Sequence, residues 1–330
     1  MIKIGLLGTG FMGGTHLAAY KRLLSKGGFR VAAVADLDIK KAEKLAAVFG
    51  AKVYPSAEEL LINADVNTVD ICLPTYLHYE YAMKAVGRGY HVFVEKPLCL
   101  SGKDAQSLAE AARAKGVISM VGQCIRFWDE YVWLKNCVER KTYGAVASAH
   151  FERLSPRPMW SWNGWSLKKE HSGGAALDLH IHDSDYMLYL FGEPAKVASV
   201  RNKTGETDGY IMTLCDYSGF VVTLEGTWNL PASYPFEMYY RVVFEKAVVE
   251  FSSKTGLKVY TDTGVTVPEL VKQCTADADA GGNISDLGGY YNELAYFLDC
   301  LKLGNKAGAA SLSDGAKSVA FVEKEFASKL

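Results

Sequence analysis

The chain has 330 residues, of which 49% are hydrophobic and 22% charged, and this composition is ordinary for a soluble globular protein. The 36 Lys and Arg residues and the 37 Asp and Glu residues give a net charge of −1, which lacks the basic excess of a nucleic-acid-binding protein. No apolar run approaches the ~20 residues that cross a bilayer, and the N-terminus lacks the basic-then-apolar pattern of a signal peptide. The length predicts two domains.

The first 122 residues alternate between apolar segments suited to strands and amphipathic segments suited to helices. Strands are predicted at Ile2–Leu7, Val31–Ala35, Lys52–Tyr54, Val69–Leu73, Val92–Val94 and Ile118–Val121. Helices are predicted near His16–Leu24, Ile39–Phe49, Ala57–Ile62, Tyr79–Arg88 and Lys103–Ala114. Continuous apolar strands separated by helices indicate a parallel sheet that is covered on both faces, which is the doubly wound α/β pattern.

From about Arg126 the pattern changes to longer strands in which apolar and polar residues alternate. These strands are predicted at Val146–Arg153, Ala195–Asn202, Gly209–Tyr217, Phe220–Thr227, Met238–Phe244, Ala247–Ser252 and Leu257–Tyr260. One strong helix is predicted at Ala176–Phe191, and two more close the chain near Tyr291–Leu303 and Ser313–Ser328. This pattern indicates a largely antiparallel sheet with one polar or partner-facing side.

The seven cysteines are scattered, odd in number and without a C-x-x-C pair. A disulfide framework or a structural zinc site would need clustered cysteines. We therefore expect free thiols in a reducing cytoplasm and no metal site.

Residues 8–13 fit the motif G-x-G-x-x-G between a predicted strand and a predicted helix, which is the context that this motif requires. Gly8 permits the tight turn, Gly10 lets a pyrophosphate approach the backbone, and Gly13 allows close packing of helix on strand. The helix N-terminus offers free N–H groups to the phosphates. The alternative is a glycine turn that binds nothing. The cofactor-binding candidates in this motif are Gly8, Gly10, Phe11, Met12 and Gly13.

The second predicted strand ends at Asp36, 23 residues after Gly13, where an acid that binds the ribose hydroxyls is expected. A carboxylate at this position repels a 2′-phosphate, so we expect NAD in preference to NADP. Lys40 and Lys41 follow closely and weaken this argument. The alternative is that Asp36 only caps the next helix.

Polar motifs follow the fourth and fifth predicted strands, at Leu73-Pro74-Thr75 and Glu95-Lys96-Pro97. Ligands bind at the carboxyl ends of strands in open α/β sheets. A Glu-Lys pair directly after three apolar residues therefore indicates a functional site, and the alternative is a solvated pair in a loop.

The glycine motif, the two strand-end motifs and His78 resemble those of the glucose–fructose oxidoreductase / inositol dehydrogenase (Gfo/Idh/MocA) family. Members of that family commonly have T-P-N where this chain has Leu-Pro-Thr at residues 73–75. The segment 173–183 resembles the family pattern G-G-x-x-x-D-x-x-x-H, and residues 190–194 fit the L-x-G-x-P that follows it. The resemblance implies a Rossmann domain, here residues 1–123. It also implies an α/β domain with a large, mostly antiparallel open sheet, here residues 124–330, whose terminal helices are candidates to pack back on the first domain.

The resemblance also implies a nicotinamide cofactor, a polyol, sugar or related cyclic substrate, and a homodimer or homotetramer formed through the open sheet. It implies that Lys96 hydrogen-bonds both the cofactor and the reacting hydroxyl, next to a Lys96–Pro97 peptide that is often cis. The cofactor-binding candidates outside the glycine motif are Asp36, Leu73, Pro74, Thr75, His78, Glu95 and Lys96.

His182 follows Asp178 by four residues, so on a helix the two side chains share a face. An imidazole titrates near neutrality and can take a hydroxyl proton, while a carboxylate orients the ring. In the family the matching residues do this work. We expect Lys96, Asp178 and His182 to converge on one reacting carbon, where Lys96 stabilises the alkoxide electrostatically.

The same segment contains the H-x-H pair His180 and His182, which would suggest a metal site on a strand. The helical pattern argues against it, because residues two apart diverge on a helix. His180 is then either a contact of substrate or cofactor, or a residue that satisfies a core hydrogen bond. His16, on the first helix, is expected to serve packing rather than chemistry.

Four further residues are candidates for substrate contact. Arg126 and Arg157 would meet an acidic substrate, and the alternative is a surface ion pair. Trp162 and Trp165 would wall a sugar pocket, since aromatic faces stack on sugar rings, and the alternative is an interface or core packing.

Three functions fit these observations. An NAD-dependent dehydrogenase that acts on a CH–OH group of a sugar, polyol or inositol is our first expectation. The alternatives are an NAD-dependent glycoside hydrolase that uses transient oxidation, and a non-catalytic protein that senses the cofactor.

Overall fold

The computed structural model describes residues 1–159, 161–204, 207–272, 274 and 287–328. The chain divides into two compact units, one of residues 1–127 with 273–319 and one of residues 128–272 with 320–330. The predicted boundary at residues 123 and 124 lies close to the first crossing between the units. Among the described residues, no helix is long and apolar enough to cross a membrane.

The first unit begins with strands and helices in alternation. In chain order these are β1 (Ile2–Leu7), α1 (Phe11–Leu23), β2 (Phe29–Ala35), α2 (Ile39–Ala46), β3 (Lys52–Tyr54), α3 (Ala57–Asn63), β4 (Thr68–Ile71), α4 (His78–Gly87), β5 (His91–Glu95), α5 (Gly102–Lys115) and β6 (Ser119–Gly122). The strands pair in parallel in the order β3-β2-β1-β4-β5-β6, which confirms the predicted doubly wound sheet over the described residues. The order reverses between β1 and β4, and ligands bind at such a switch point.

Local signals in the sequence explain where these elements begin and end. Val92, Phe93 and Val94 are fully buried in β5, as expected for a strand covered on both faces. Ser101 caps α5 by accepting the N–H of Asp104, and α5 ends at Gly116 in the left-handed conformation that favours glycine.

The second unit contains the larger sheet. In chain order its elements are α6 (Asp129–Glu139), β7 (Val146–Pro156), α7 (Lys169–Ser172), α8 (Ile181–Phe191), β8 (Lys196–Thr204), β9 (Thr207–Asp216), β10 (Val221–Leu230), β11 (Glu237–Phe244), β12 (Val248–Ser252), β13 (Gly256–Thr261) and β14 (Gly264–Thr266). In the described part of the chain, the sheet order is β14-β13-β12-β11-β7-β10-β9-β8, and β7 with β10 is its parallel pair. The predicted, mostly antiparallel sheet is confirmed.

The core of the second unit lies on one face of this sheet. Ala149, Phe151 and Arg153 of β7 are buried on that face, and the residues between them are partly exposed on the other. Tyr131 of α6 packs edge-on against Tyr186 of α8, with ring centroids 4.8 Å apart. Helix α6 was not predicted from the sequence.

The chain closes with α9 (Gly288–Leu303) and α10 (Leu312–Ala327). Helix α9 belongs to the first unit, where it packs against α1. The seven cysteines, all of which lie in the described ranges, are buried free thiols, as predicted.

Candidate active site

The glycine turn between β1 and α1 has the shape that its sequence predicts. Gly8 has φ +90°, and a Cβ there would lie 2.8 Å from the Cys72 carbonyl oxygen. A Cβ on Gly13 would lie 1.9 Å from the Gly8 carbonyl oxygen, so a side chain is excluded there. Gly10 is exposed, and a Cβ built on it meets nothing within 4 Å. The open side of Gly10 is therefore the side from which a pyrophosphate can approach.

Gly10 is also the N-cap of α1 and has no side chain with which to bind the first N–H groups of the helix. Those groups and the positive end of the helix dipole are therefore directed toward the same open space. Phe11 and Met12, the first two residues of α1, are partly exposed beside it. These residues fit the phosphates of a dinucleotide.

The Asp36 carboxylate is fixed beside this turn. Its Oδ2 accepts the Thr9 N–H at 2.6 Å and the Thr9 hydroxyl at 2.8 Å, and its Oδ1 accepts the Asp38 N–H at 2.8 Å. The alternative that Asp36 caps α2 is wrong, because Asp38 accepts the Lys41 N–H as the N-cap. Asp36 is partly exposed, so its oxygens can also accept ribose hydroxyls.

The loop after β4 joins the loop after β5 through His78. Its Nδ1 lies 2.8 Å from the Pro97 carbonyl oxygen, and its Nε2 lies 2.8 Å from the Leu73 carbonyl oxygen. Burial lowers the pKa of His78, although the two carbonyls oppose this effect. Both ring nitrogens face carbonyls inside the protein, so His78 joins the two loops, and its contact with the cofactor stays a prediction. Leu73 and Pro74 are partly exposed, whereas Thr75 is buried.

Lys96 follows β5 and is partly exposed, and its peptide bond to Pro97 is cis, as the resemblance implied. The Lys96 N–H donates to Oε2 of Glu95 at 3.1 Å. Glu95 itself is 3% exposed, and its Oε1 lies 3.0 Å from Nε2 of the buried His16. The Glu95 carboxylate is therefore turned into the interior, and its contact with the cofactor stays a prediction.

Asp178 and His182 lie on the predicted helix, whose first turn is wound differently from the rest. Residues 176–180 form a π-helical turn, and α8 continues from Ile181. Gly173 and Gly174, both at φ +77°, make the sharp entry to this turn. Asp178 is partly exposed and His182 is 9% exposed. At four residues' separation they share one helix face, and π turns occur frequently at functional sites.

His180 lies on the opposite side of this helix. It is fully buried, and its Nε2 lies 2.8 Å from Oε1 of Glu325 on α10. Burial is the largest effect and lowers the pKa of His180, but the charge and hydrogen bond of Glu325 together with the charge of Asp183 outweigh burial, so the net shift is upward. The prediction of a substrate contact is wrong, and the alternative of a core hydrogen bond is confirmed.

Arg126 also has a structural place. Its Nη1 donates to the Ala309 carbonyl at 2.8 Å and lies 3.7 Å from Oδ2 of Asp314, and the residue is 6% exposed. These contacts give Arg126 a structural role, and its contact with a substrate stays a prediction.

The segment before the π turn holds the other candidates for substrate contact. Arg157 is exposed, Trp162 is 58% exposed, and Trp165 is partly exposed in a 3₁₀ segment over residues 162–167. An exposed tryptophan is available to a ligand, and these three residues therefore remain candidates.

Sequence reasoning missed Arg153, which fixes the helix that carries His182. Its Nε and Nη2 donate to the two oxygens of Asp183, each at 3.0 Å, and both side chains are buried. The available signal was an arginine at an inward position of β7, between the buried Phe151 and Ser155.

Comparison with known proteins is consistent with this geometry. Residues 2–123 match the family model described as an oxidoreductase family with an NAD-binding Rossmann fold, and residues 131–250 match the GFO/IDH/MocA C-terminal domain. Inositol 2-dehydrogenase 3 of Saccharopolyspora erythraea is 27% identical over 329 residues, which cover 97% of this chain and 90% of the relative.

One further relative matches only part of this chain, and one solved structure matches nearly all of it. An uncharacterized oxidoreductase of Streptococcus pneumoniae is 32% identical over 192 residues, which span 58% of this chain and 51% of that relative. The solved structure of levoglucosan dehydrogenase in complex with NADH and levoglucosan shares the fold, with a TM-score of 0.84 and 22% identity over 99% of this chain and 96% of that one. The two family models together cover most of this chain, which therefore belongs to the GFO/IDH/MocA family of oxidoreductases and has that family's NAD-binding Rossmann fold.

Proposed function

We propose that this protein is an NAD-dependent dehydrogenase that interconverts a secondary alcohol and a ketone on a sugar, polyol or inositol. The observation that carries the proposal is the glycine turn, whose open side at Gly10 lies beside the fixed carboxylate of Asp36. This arrangement binds a dinucleotide rather than a single phosphate, because it offers one partner for phosphates and another for a ribose.

The residues proposed to hold the cofactor follow from this geometry. The turn from Gly8 to Gly13 and the N-terminus of α1 would bind the pyrophosphate, and Asp36 would accept the ribose hydroxyls. The negative charge of Asp36 disfavours a 2′-phosphate, which supports NAD over NADP. Leu73 and Pro74 would line the same edge of the sheet. When bound, NAD supplies the acceptor for the hydride.

We propose that Lys96, Asp178 and His182 act on the same substrate hydroxyl. His182 takes the hydroxyl proton during oxidation and returns it during reduction. The Lys96 ammonium stabilises the negative charge that develops on the oxygen. Asp178, one turn before His182 on the same helix face, orients the imidazole and favours its protonated form. The proton thus leaves the substrate to a ring nitrogen of His182 while the carbon is oxidised.

The relatives support the substrate class. One relative that matches nearly the whole chain is named an inositol 2-dehydrogenase, and a structural neighbour binds levoglucosan. Both names describe cyclic polyhydroxyl compounds. The exposed Trp162 and the partly exposed Trp165 offer apolar faces on which such a ring can stack.

We also propose that the protein assembles as a homodimer or homotetramer through the outer face of the large sheet. Val200 of β8, Met212 and Leu214 of β9, and Val221 of β10 are 39% to 48% exposed on neighbouring strands. Sedimentation velocity of the wild type and of Leu214→Glu tests this assembly. A wild type that sediments as a monomer would contradict it.

The function is tested by following NADH formation at 340 nm over a panel of inositols, aldoses, polyols, anhydrosugars and sugar acids. We expect at least one compound to reduce NAD⁺ with saturation kinetics. Turnover of glycosides without net NADH would indicate the hydrolase instead, and tight binding of NADH without any turnover would indicate a cofactor sensor. Either of these two results would overturn the proposed function.

A further inference from the structure

A group of buried polar side chains lies inside the first unit, behind the residues assigned to the cofactor. We call it the His16 cluster, and its members are His16, Tyr20, Asp70, Cys72, Glu95 and Glu293. Each of them is at most 8% exposed. Six polar groups in one interior are costly to bury unless they are paired or serve a purpose. Neither the cofactor turn nor the proposed proton transfer uses them.

His16 is at the centre of this cluster and contacts two acids on neighbouring strands. Its Nδ1 lies 2.8 Å from Oδ2 of Asp70 on β4, and its Nε2 lies 3.0 Å from Oε1 of Glu95 on β5. The Tyr20 hydroxyl donates to the same Asp70 oxygen at 2.9 Å. Both ring nitrogens of His16 are thus used in hydrogen bonds to acids, and His16 bridges two carboxylates.

The charges in the cluster support this bridge. Burial works against a charged His16, but the charge interactions and hydrogen bonds with Asp70 and Cys72 together outweigh burial, so the pKa of His16 is raised well above its ordinary value. Burial, followed by the negative charge of Glu95, raises the pKa of Glu293 far above its ordinary value. Neither carboxyl oxygen of Glu293 has a hydrogen-bond partner among the described residues. With His16 as an imidazolium between the Asp70 and Glu95 carboxylates and with Glu293 protonated, the cluster carries one net negative charge.

Glu95 connects this interior to the Lys96 backbone. One of its oxygens contacts His16, and the other accepts the Lys96 N–H at 3.1 Å. Gly122 of β6 confines the carboxylate from the far side, since a Cβ there would lie 2.8 Å from Oε1 of Glu95. The next peptide is held as well, because the Pro97 carbonyl oxygen lies 2.8 Å from His78 Nδ1. The turn that presents Lys96 is thus held on both sides by buried groups.

We propose that His16 is a positioning residue for Lys96, acting through the Glu95 carboxylate that holds the Lys96 backbone. The link to catalysis rests on the proposed function, whereas the link to the position of Lys96 does not. Nε2 of His16 holds Glu95 in this role, and Nδ1 adds an anchor at Asp70. The prediction that His16 serves only packing is thereby replaced.

Two amide substitutions separate positioning from simple burial. The amide nitrogen of His16→Gln can reach the place of Nε2 and still donate to Glu95. The amide nitrogen of His16→Asn can reach the place of Nδ1 and bind Asp70, but it is too short for Glu95. Both variants place a neutral amide at the same buried site. If His16 had a purely structural role, the Asn and Gln variants would therefore change the position of Lys96 to a similar extent.

The first readout does not need a substrate. Trace acetylation with acetic anhydride, followed by peptide mass spectrometry, gives the reactivity of Lys96 relative to the exposed Lys40 of the same molecule. We expect Lys96 reactivity to rise several-fold in His16→Asn and to stay within about twofold of the wild type in His16→Gln, because only the Asn variant releases Glu95. The Kd for NADH should change little in either variant.

The second readout uses the alcohol identified in the substrate panel. We expect kcat to fall about 100-fold in His16→Asn, the order of loss that accompanies a misplacement of about 1 Å, and KM to change far less. His16→Gln should recover most of kcat. Thr15→Ala is the matched control, because Thr15 is equally buried on α1 and its hydroxyl bonds only within that helix, to Phe11.

Gly122→Ala provides a second route if both His16 variants fold poorly. It leaves every charge in place but presses on the Glu95 carboxylate, and it should raise Lys96 reactivity as His16→Asn does. Equal Lys96 reactivity in the Asn and Gln variants, or unchanged reactivity in Gly122→Ala, would overturn the positioning role. If the acetylation pattern is as expected but no alcohol reduces NAD⁺, the positioning of Lys96 stands and the proposed function fails.

Discussion

The glycine turn of the first unit and the helix of the second unit that carries His182 are built in different ways. The turn is made by backbone, and its glycines are required because a Cβ at Gly8 or Gly13 would collide with a carbonyl oxygen. The helix that carries His182 is fixed by side chains, through Arg153 on Asp183 and Glu325 on His180. A site made by backbone can be recognised from a short sequence motif. A site fixed by side chains depends on residues that are far apart in the sequence, so no short motif identifies it.

The helix also separates its two tasks by face. Asp178 and His182 lie on one side, while His180 and Ser184, which both contact Glu325, lie on another. Changes on the first face should therefore affect turnover, and changes on the second should affect stability. The predictions below test this division, from the largest expected effect to the smallest.

His182→Asn should lower kcat about 10²–10⁴-fold, because the variant keeps a polar side chain but loses the imidazole that is proposed to take the hydroxyl proton. Steady-state kinetics with the alcohol from the panel would measure this loss. The Kd for NADH and the melting temperature serve as controls and should change little. A folded variant with the wild-type kcat would remove His182 from its proposed role.

Arg153→Met should lower the free energy of unfolding by about 3–5 kcal/mol, because it leaves Asp183 buried without its partner. Urea denaturation measures the change. Arg157→Met is the matched control on the same segment, since an exposed arginine contributes little, and its effect should stay within about 0.5 kcal/mol. Equal losses in the two variants would contradict the anchoring role of Arg153.

Asp36→Ser should shift cofactor preference toward NADP by roughly one to two orders of magnitude in kcat/KM. The variant removes both a charged acceptor for ribose hydroxyls, worth about 1.5–3 kcal/mol, and the repulsion of a 2′-phosphate. Kinetics with NAD⁺ and NADP⁺ on the same alcohol give the ratio. A wild type that already prefers NADP⁺ would contradict the role of Asp36.

The contrast between the two regions also explains which parts of the structure could be predicted from the sequence. The bounds of β1 and β3 were predicted as the structure has them, because hydrophobic runs and the glycine motif mark them locally. The low helix propensity of Gly13 and Gly14 led to a predicted start near His16. Helix α1 in fact begins at Phe11, because tertiary packing overrides this propensity.

The errors concern residues whose partners are distant in sequence. His180 and Glu325 are 145 residues apart, and Arg153 and Asp183 are 30 apart, so no local pattern shows that they meet. Glu95 ends β5 and His78 begins α4, close to the predicted positions, but the direction of each side chain depends on neighbours that the motif does not contain. The π turn at residues 176–180 has no sequence signature of its own, although it lies where the family pattern put the catalytic pair.

Glu325→Gln should have the smallest effect, and a pH-dependent one. The pKa of His180 is raised in the folded protein, so its contribution to stability is complete below the unfolded pKa of about 6.5 and is lost as pH rises through the folded pKa. We expect the variant to be about 1–2 kcal/mol less stable than the wild type at pH 6, with a smaller difference at alkaline pH. Denaturation at several pH values measures this, and a difference that grows with pH would contradict it.

The central claim is that this protein moves a hydride between a substrate carbon and NAD, and isotope transfer tests it most directly. The alcohol identified in the panel is prepared with deuterium at the oxidised carbon and incubated with NAD⁺ and the wild-type protein. Mass spectrometry of the reduced cofactor should show one deuterium per NADH formed. A reduced cofactor without deuterium, or no reduced cofactor with any compound of the panel, would contradict the account.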